Sequence, residues 1–232
     1  MEYLHNGFTL EISEGAFPLG TDSIALAEFA KLPRNATVLD LGAGCGTLGL
    51  LLCADHSDCK VTGIELDSSA HITALDNIAR NKLEGRATSI CADLRQLDDF
   101  ITAGSYHCCI SNPPYFSGGP ASKTLATARR NDTCSTEDLF KAAAKALRYS
   151  GDFFLVHRPE MLAELCAYAH ANQLEPKRLR LIRHKVGGPV SLVLLSCRKG
   201  GKPGLIWEEN ALRDASGDPT PYYNKLYHLQ EV

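Results

Sequence analysis

The stretch VLDLGAGCGTLGL, residues 38–50, joins one apolar run to another through three glycines, Gly42, Gly44 and Gly46. Its first half, within TVLDLG (37–42), predicts a buried strand, and TLGLLLCADH (47–56) predicts the helix after it. Glycine at such a junction permits a tight turn and lets a ligand approach the backbone. The spacing is G-x-G-x-G, unlike the G-x-G-x-x-G of a dinucleotide fingerprint. Asp40 stands two residues before Gly42 and would repel a pyrophosphate, so a cationic ligand fits better. A glycine turn alone is also compatible with a purely structural connection, so the rest of the chain must decide.

Outward from this turn, short apolar runs alternate with longer amphipathic ones. Upstream, TDSIALAEFAKL (21–32) predicts a helix with Thr21 as N-cap. Downstream, strands are predicted at 60–66, 87–93, 106–112, 152–157, 177–185 and 191–199. Helices are predicted at 68–83, 136–151 and 159–174, with Gly151 closing the second of these. Strands alternating with helices imply a doubly wound α/β sheet, mostly parallel and seven-stranded. Only KVGGPV separates the last two strands, which implies a hairpin and an antiparallel last strand. The tail from Gly200 is rich in Gly, Pro and polar residues and reads as irregular. The expected organisation is one domain over 1–232, with a core at roughly 20–200.

Composition bounds the function. Apolar residues make up 44% of the 232 and charged residues 22%, which supports a large core and argues against disorder. The net charge is only −3, so nucleic-acid binding would need a local basic patch. None of the 9 cysteines is spaced as C-x-x-C, and most lie in apolar runs, as expected of reduced thiols in a cytoplasmic protein. The 8 histidines show no metal-ligand spacing. No apolar run is long enough to span a membrane, and the N-terminus lacks a signal pattern.

Two further acids end strands. Glu65 lies roughly 20 residues beyond the glycine turn, where a carboxylate can hold ribose hydroxyls. Asp93 ends the third strand, where it can accept from an adenine amine. Each alone is compatible with an ordinary strand-end carboxylate. Together with Asp40 they converge on one crevice, as the switch-point rule expects. This constellation resembles the class I S-adenosylmethionine-dependent methyltransferases, with their Rossmann-like seven-stranded sheet and reversed last strand, over roughly residues 20–200. The resemblance implies S-adenosylmethionine as cofactor. It implies a cofactor site drawn from Thr21, Asp22, Asp40, Gly42, Ala43, Gly44, Gly46, Glu65, Leu66, Asp93, Leu94 and Asn112.

The fourth strand runs into Asn112-Pro113-Pro114-Tyr115, the corner that amino-methyltransferases use to hold a planar amine. An exocyclic adenine amine is a poor nucleophile because its lone pair is delocalised. The Asn112 amide oxygen and the Pro113 carbonyl can accept its two N–H bonds and favour a pyramidal nitrogen. The prolines fix φ and so hold the acceptors in advance. Tyr115 can stack on the base.

Several segments resemble the tRNA(Val) adenine-N6 methyltransferase family: FPLGTDSIALA (17–27), ARRNDTCSTEDLFKAA (128–143), VHRPEML (156–162), EPKRLRLIRHK (175–185) and GDPTPYY (217–223). That implies a tRNA substrate modified beside the anticodon. The family commonly has Ala-Arg-His-Glu where this chain has Ala128-Arg129-Arg130-Asn131. Lys177, Arg178, Arg180, Arg183 and Lys185 fall within nine residues, and Arg129, Arg130 and Arg158 could join them in binding RNA backbone. A solvated sheet edge guarded by basic residues is the competing reading of any one arginine. No obligate protein partner is evident. Glutamine methylation of a release factor and non-catalytic cofactor or RNA binding remain as alternatives.

Overall fold

A computed structural model describes residues 1–115 and 134–229. A small antiparallel hairpin, β1 (Glu2–Tyr3) and β2 (Thr9–Leu10), precedes the core. Then come α1 (Thr21–Phe29), β3 (Thr37–Leu41), α2 (Thr47–Asp55), β4 (Lys60–Glu65), α3 (Ser68–Arg80) and β5 (Ala87–Cys91). A 3-10 segment, Leu94–Asp99, leads to β6 (Tyr106–Ser111). The second half runs α4 (Thr136–Ala146), β7 (Leu147–His157), α5 (Leu162–Ala171), β8 (Leu174–Lys185) and β9 (Val190–Lys199). It closes with β10 (Ile206–Arg213) and α6 (Pro221–Leu226).

The main sheet has the order β10-β8-β9-β7-β6-β3-β4-β5. All neighbours pair in parallel except β9, which is antiparallel to both β7 and β8. The doubly wound architecture and the reversed seventh core strand are therefore as the pattern implied. The eighth strand, β10, lies in the tail expected to be irregular.

Side-chain alternation divides the core between the two faces. Val38, Cys108, Ile110, Phe154, Val156 and Leu194 pack with the apolar side chains of α1 and α2. Leu39, Leu41, Cys109, Phe153, Leu155 and Leu195 pack with those of α4 and α5. Cys108 and Cys109 thus point to opposite sides, each buried and each unpaired.

Helix boundaries moved where tertiary pairing outweighed local pattern. The helix expected to end at Gly151 stops at Ala146, because Leu147 already pairs with Tyr106 of β6. Gly151 lies inside β7, where a Cβ would come 2.9 Å from the His107 carbonyl oxygen. Gly20, not Thr21, occupies the N-cap of α1. Asp67 caps α3, its side chain accepting from the Ala70 N–H at 2.9 Å. Among the described residues, no helix is long and apolar enough to cross a membrane.

Candidate active site

The chain crosses from one side of β3 to the other between β5 and β6. The carboxyl ends of β3 and β6 therefore open a switch-point crevice. The glycine turn follows β3, and the Asn112–Tyr115 corner follows β6. Ser111 ties the two ends together, its Oγ donating to the Leu41 carbonyl at 2.7 Å.

The turn is a cradle of exposed backbone. Gly42, Gly44 and Gly46 have φ of 73°, 55° and 82°, the left-handed region that glycine enters without strain. No atom lies within 4 Å of where a Cβ on Gly42 or Gly44 would stand, so a ligand can meet the main chain there. The Gly42 and Ala43 N–H groups both donate to the Ile64 carbonyl at 3.0 Å, which fixes the turn to β4. Glu65, at the end of β4, accepts from the Gly44 N–H (2.7 Å) and the Asp67 N–H (2.8 Å). Its carboxylate is oriented by backbone, and its remaining lone pairs are free for hydroxyl donors. Leu66 is exposed beside it.

The other two acids are engaged differently: Asp40 lies beneath the turn, whereas Asp93 stays on the carboxyl edge, two residues beyond Cys91, which pairs with Glu65. Asp40 is 1% exposed and shares the face of Val38, beneath the turn rather than open to a ligand. It borders a cavity of ≈ 20 Å³ whose walls include Gly46, Gly63, Ala74 and Ser89. Neither carboxyl oxygen makes a well-formed hydrogen bond, the Gly49 N–H offering only a weak one. Burial, reinforced by the charge of Glu65, pushes its pKa up to about 8. A carboxyl that is largely neutral does not serve as counter-charge to a cation. Asp93 is turned to its neighbour Arg95, which reaches its oxygens at 2.9 and 2.5 Å. That partner holds Asp93 below the usual carboxylate range. Leu94, next in sequence, is half-buried.

The Asn112–Tyr115 corner is assembled with α1. Asn112 donates through Nδ2 to Ser23 Oγ at 2.9 Å. Tyr115 Oη lies 3.1 Å from Asn112 Oδ1 and 3.1 Å from Asp22 Oδ2. Burial, with Asp22 adjacent, raises the phenol well above its ordinary pKa, so it remains a neutral donor. Pro113 is buried and Pro114 exposed. The Tyr115 ring meets His157 edge-on at 5.2 Å and lies under the Arg158 guanidinium at 5.1 Å. Burial lowers the His157 pKa, and its Nδ1 accepts from the Arg158 N–H at 2.8 Å. Thr21 is bonded to the C-terminal tail, its hydroxyl 2.6 Å from that of Tyr227. Sequence patterning gave no sign of Ser23 or His157. Ser23 reads as one polar residue in a helix, and His157 as the end of a strand.

The basic run on β8 is divided. Arg178 bonds Glu208 of β10 at 3.0 Å and the Phe29 carbonyl at 3.1 Å. Arg180, 8% exposed, joins Glu28 and Glu208, the latter at 2.7 Å. These two side chains are committed to carboxylates, a structural clamp rather than a phosphate grip. Lys177 Nζ donates to the Lys202 carbonyl at 2.8 Å. Arg183 is 3.8 Å from Glu209, and Lys185 and Arg158 are exposed. Arg129 and Arg130 lie outside the described residues.

The family model described as Methyltransferase small domain matches residues 13–170. A Bacteroides fragilis protein named tRNA1(Val) (adenine(37)-N6)-methyltransferase is 31% identical over 192 residues, covering 82% of this chain and 80% of that protein. A Shewanella putrefaciens protein of the same name is 32% identical over 237 residues, covering 100% of this chain and 98% of its own. Among solved structures, a "predicted O-methyltransferase" from Agrobacterium tumefaciens superposes with a TM-score of 0.72 at 21% identity, covering 89% of this chain and 95% of that one. A geranyl diphosphate C-methyltransferase from Streptomyces coelicolor, solved with S-adenosyl-L-homocysteine, gives 0.57 at 12% identity, covering 75% and 77%. These two likenesses are likenesses of fold.

Proposed function

The chain belongs to the methyltransferase small-domain family, and from that premise we propose that it methylates the N6 amine of an adenosine in tRNA, at position 37 beside the anticodon, using S-adenosylmethionine. The tRNA, the base and the position follow the names of its relatives. That substrate belongs in the cytoplasm, which suits nine unpaired cysteines. The observation that carries the reading is the Asn112–Tyr115 corner at the switch point, with the Asn112 amide pinned by Ser23 and its oxygen facing Tyr115.

The residues present fit the cofactor. The open backbone at Gly42 and Gly44 admits close approach, and Glu65 is oriented to accept from ribose hydroxyls. Leu66 offers apolar surface to a flat ring. When bound, the cofactor would supply a methyl group on a sulfonium, which leaves as a neutral thioether, and the methylated nitrogen would release one N–H proton to solvent. The chain's own task is to prepare the amine. Asn112 is the acceptor for one N–H, taking the place of its contact with Tyr115. The Pro113 carbonyl is the acceptor for the other. Both interactions strengthen as positive charge develops on nitrogen, so they act on the transition state more than on binding. Tyr115 presents its ring to a base turned out of the anticodon loop, where extraction costs less than from a duplex. Neutral His157 packs edge-on against that ring.

The test is methyl transfer from labelled cofactor into total tRNA, followed by digestion to nucleosides. Label in N6-methyladenosine is expected. Label absent from RNA, or a release-factor glutamine peptide accepting methyl in its place, would overturn the reading.

A further inference from the structure

Lys177 to Lys185 form one basic run in sequence, but folding distributes them over three environments. β8 runs parallel to β7 through β9, which is antiparallel to both. Its amino end, with Lys177, therefore lies on the sheet edge away from the crevice. Its middle, Arg178 and Arg180, is locked to Glu208 and Glu28. Its carboxyl end, with Arg183 and Lys185, lies on the same edge as Asn112 and Tyr115.

Register fixes how these ends stand beside the crevice. His157 of β7 pairs with Val193 of β9, and Val193 pairs with Leu181 of β8. Lys185 is four residues further on, so β8 rises about 13 Å beyond the row of His157 at roughly 3.3 Å per residue. β10 is parallel to β8 and pairs Arg213 with Lys185. Arg158 leaves the end of β7 beside Tyr115 and donates toward the Ser191 carbonyl at the start of β9 (3.4 Å). From β7 to β10 is three strand spacings, about 14 Å.

We propose that this raised rim, with Arg158, Arg183, Lys185 and Arg213 at the carboxyl ends of β7, β8 and β10, is the track along which the phosphodiester backbone of the substrate RNA runs to the crevice. The inference rests on the proposed tRNA activity and names the surface that holds its substrate. The charges suit polyanion binding. Lys185 and Arg158 are exposed. Arg213 lies over the Tyr223 ring at 4.6 Å, which holds its guanidinium in place. Arg183 is steadied by the Gly188 carbonyl, with Glu209 at a loose 3.8 Å. Nearby Asp214 is an anion held below the usual carboxylate range by the N–H groups of Asp218, Gly217 and Ser216, with Lys185 adding to this, so it offsets part of the rim's positive charge. Arg178 and Arg180, by contrast, have no charge to spare.

The test is the salt dependence of tRNA affinity. Removing one phosphate-binding cation flattens the slope of log K against log[salt] by about 0.7–0.9. The triple variant Arg183→Ala, Lys185→Ala, Arg213→Ala should flatten it by about 2 to 3 and raise KM for tRNA about tenfold or more at 0.1 M salt, with kcat and cofactor affinity kept. Lys185→Glu, an exposed change that guards against a misfolded triple variant, should act in the same direction. Lys177→Ala, at the far end of the strand, should leave the slope alone. If wild type methylates tRNA and both rim variants keep its slope and KM, the rim is overturned and the activity stands. If wild type neither binds nor methylates tRNA, both fall.

Discussion

Asn112 has its amide nitrogen held by Ser23 and its oxygen turned to Tyr115. Replacing it with Ala should lower kcat by about 10²-fold or more, the cost of losing one preorganised charge-stabilising group, with tRNA affinity close to wild type. Stopped-time methylation and equilibrium binding check this together; equal losses in both would make Asn112 a binding residue only. Tyr115→Ala should weaken productive binding by about 1–3 kcal/mol as well as slow turnover, and Tyr115→Phe should keep most of both. Asp40 carries a different expectation. Its pKa is raised to about 8 in the folded state from the ordinary carboxylate value. The folded protein then holds a proton that the unfolded chain has lost, so this group makes stability fall as pH rises from about 4 to 8. Asp40→Asn should flatten that fall and raise the melting temperature more at pH 8 than at pH 5. A shift equal at both pH values would contradict the buried neutral carboxyl. At this scale the positions of Asn112, Tyr115 and Glu65 at the carboxyl edge of the sheet were legible because strand ends dictate them, while their roles rest on the proposed function. The sequence did not show that Asp40 is buried or that Asp93 is paired with Arg95. Which face Asp40 takes, and that Arg95 turns back on Asp93, are set by neighbours that spacing does not reveal.

The strands from β3 to β9 were legible because each carries either an apolar run or, as in β8, apolar residues such as Leu179 and Leu181 alternating with basic ones, with turn residues between them. β10 was not, because IWEENALR shows no clean alternation. It is an edge strand held largely by charge, with Glu208 opposite Arg180 and bonded to both Arg178 and Arg180. α4 was overrun because Leu147 and Arg148 continue its helical pattern, yet pairing with β6 decides their state. The ion network on β8, β10 and α1 makes a stability prediction that separates it from RNA binding. Arg180→Ala removes the shared partner of two part-buried carboxylates. It should destabilise by about 1–3 kcal/mol, below the range for a fully buried pair, because both carboxylates are part-exposed and Lys225 still faces Glu28 and Arg178 still faces Glu208. Urea unfolding reads this directly. The slope of tRNA affinity against salt should not change; a flatter slope with unchanged stability would return Arg180 to the RNA surface.

Across the molecule, the tail read as irregular completes both the sheet and the support of α1. α6 follows β10, and Tyr227 and Lys225 reach Thr21 and Glu28 at the two ends of α1. The first turn of α1 carries Asp22 and Ser23, so chain far from the glycine turn in sequence braces the helix that orients Asn112. Composition could not show this, because the tail contributes few of the buried residues and much of its hold is polar. The central claim is that this assembly presents an adenine amine to a methyl donor, and the most direct measurement is methyl transfer to a synthetic anticodon stem–loop. One loop carries adenosine at the target position; a second differs only in having inosine there, which lacks the exocyclic amine. The account predicts one methyl per adenosine loop, recovered as N6-methyladenosine, and none on the inosine loop. Equal transfer to both loops would contradict it.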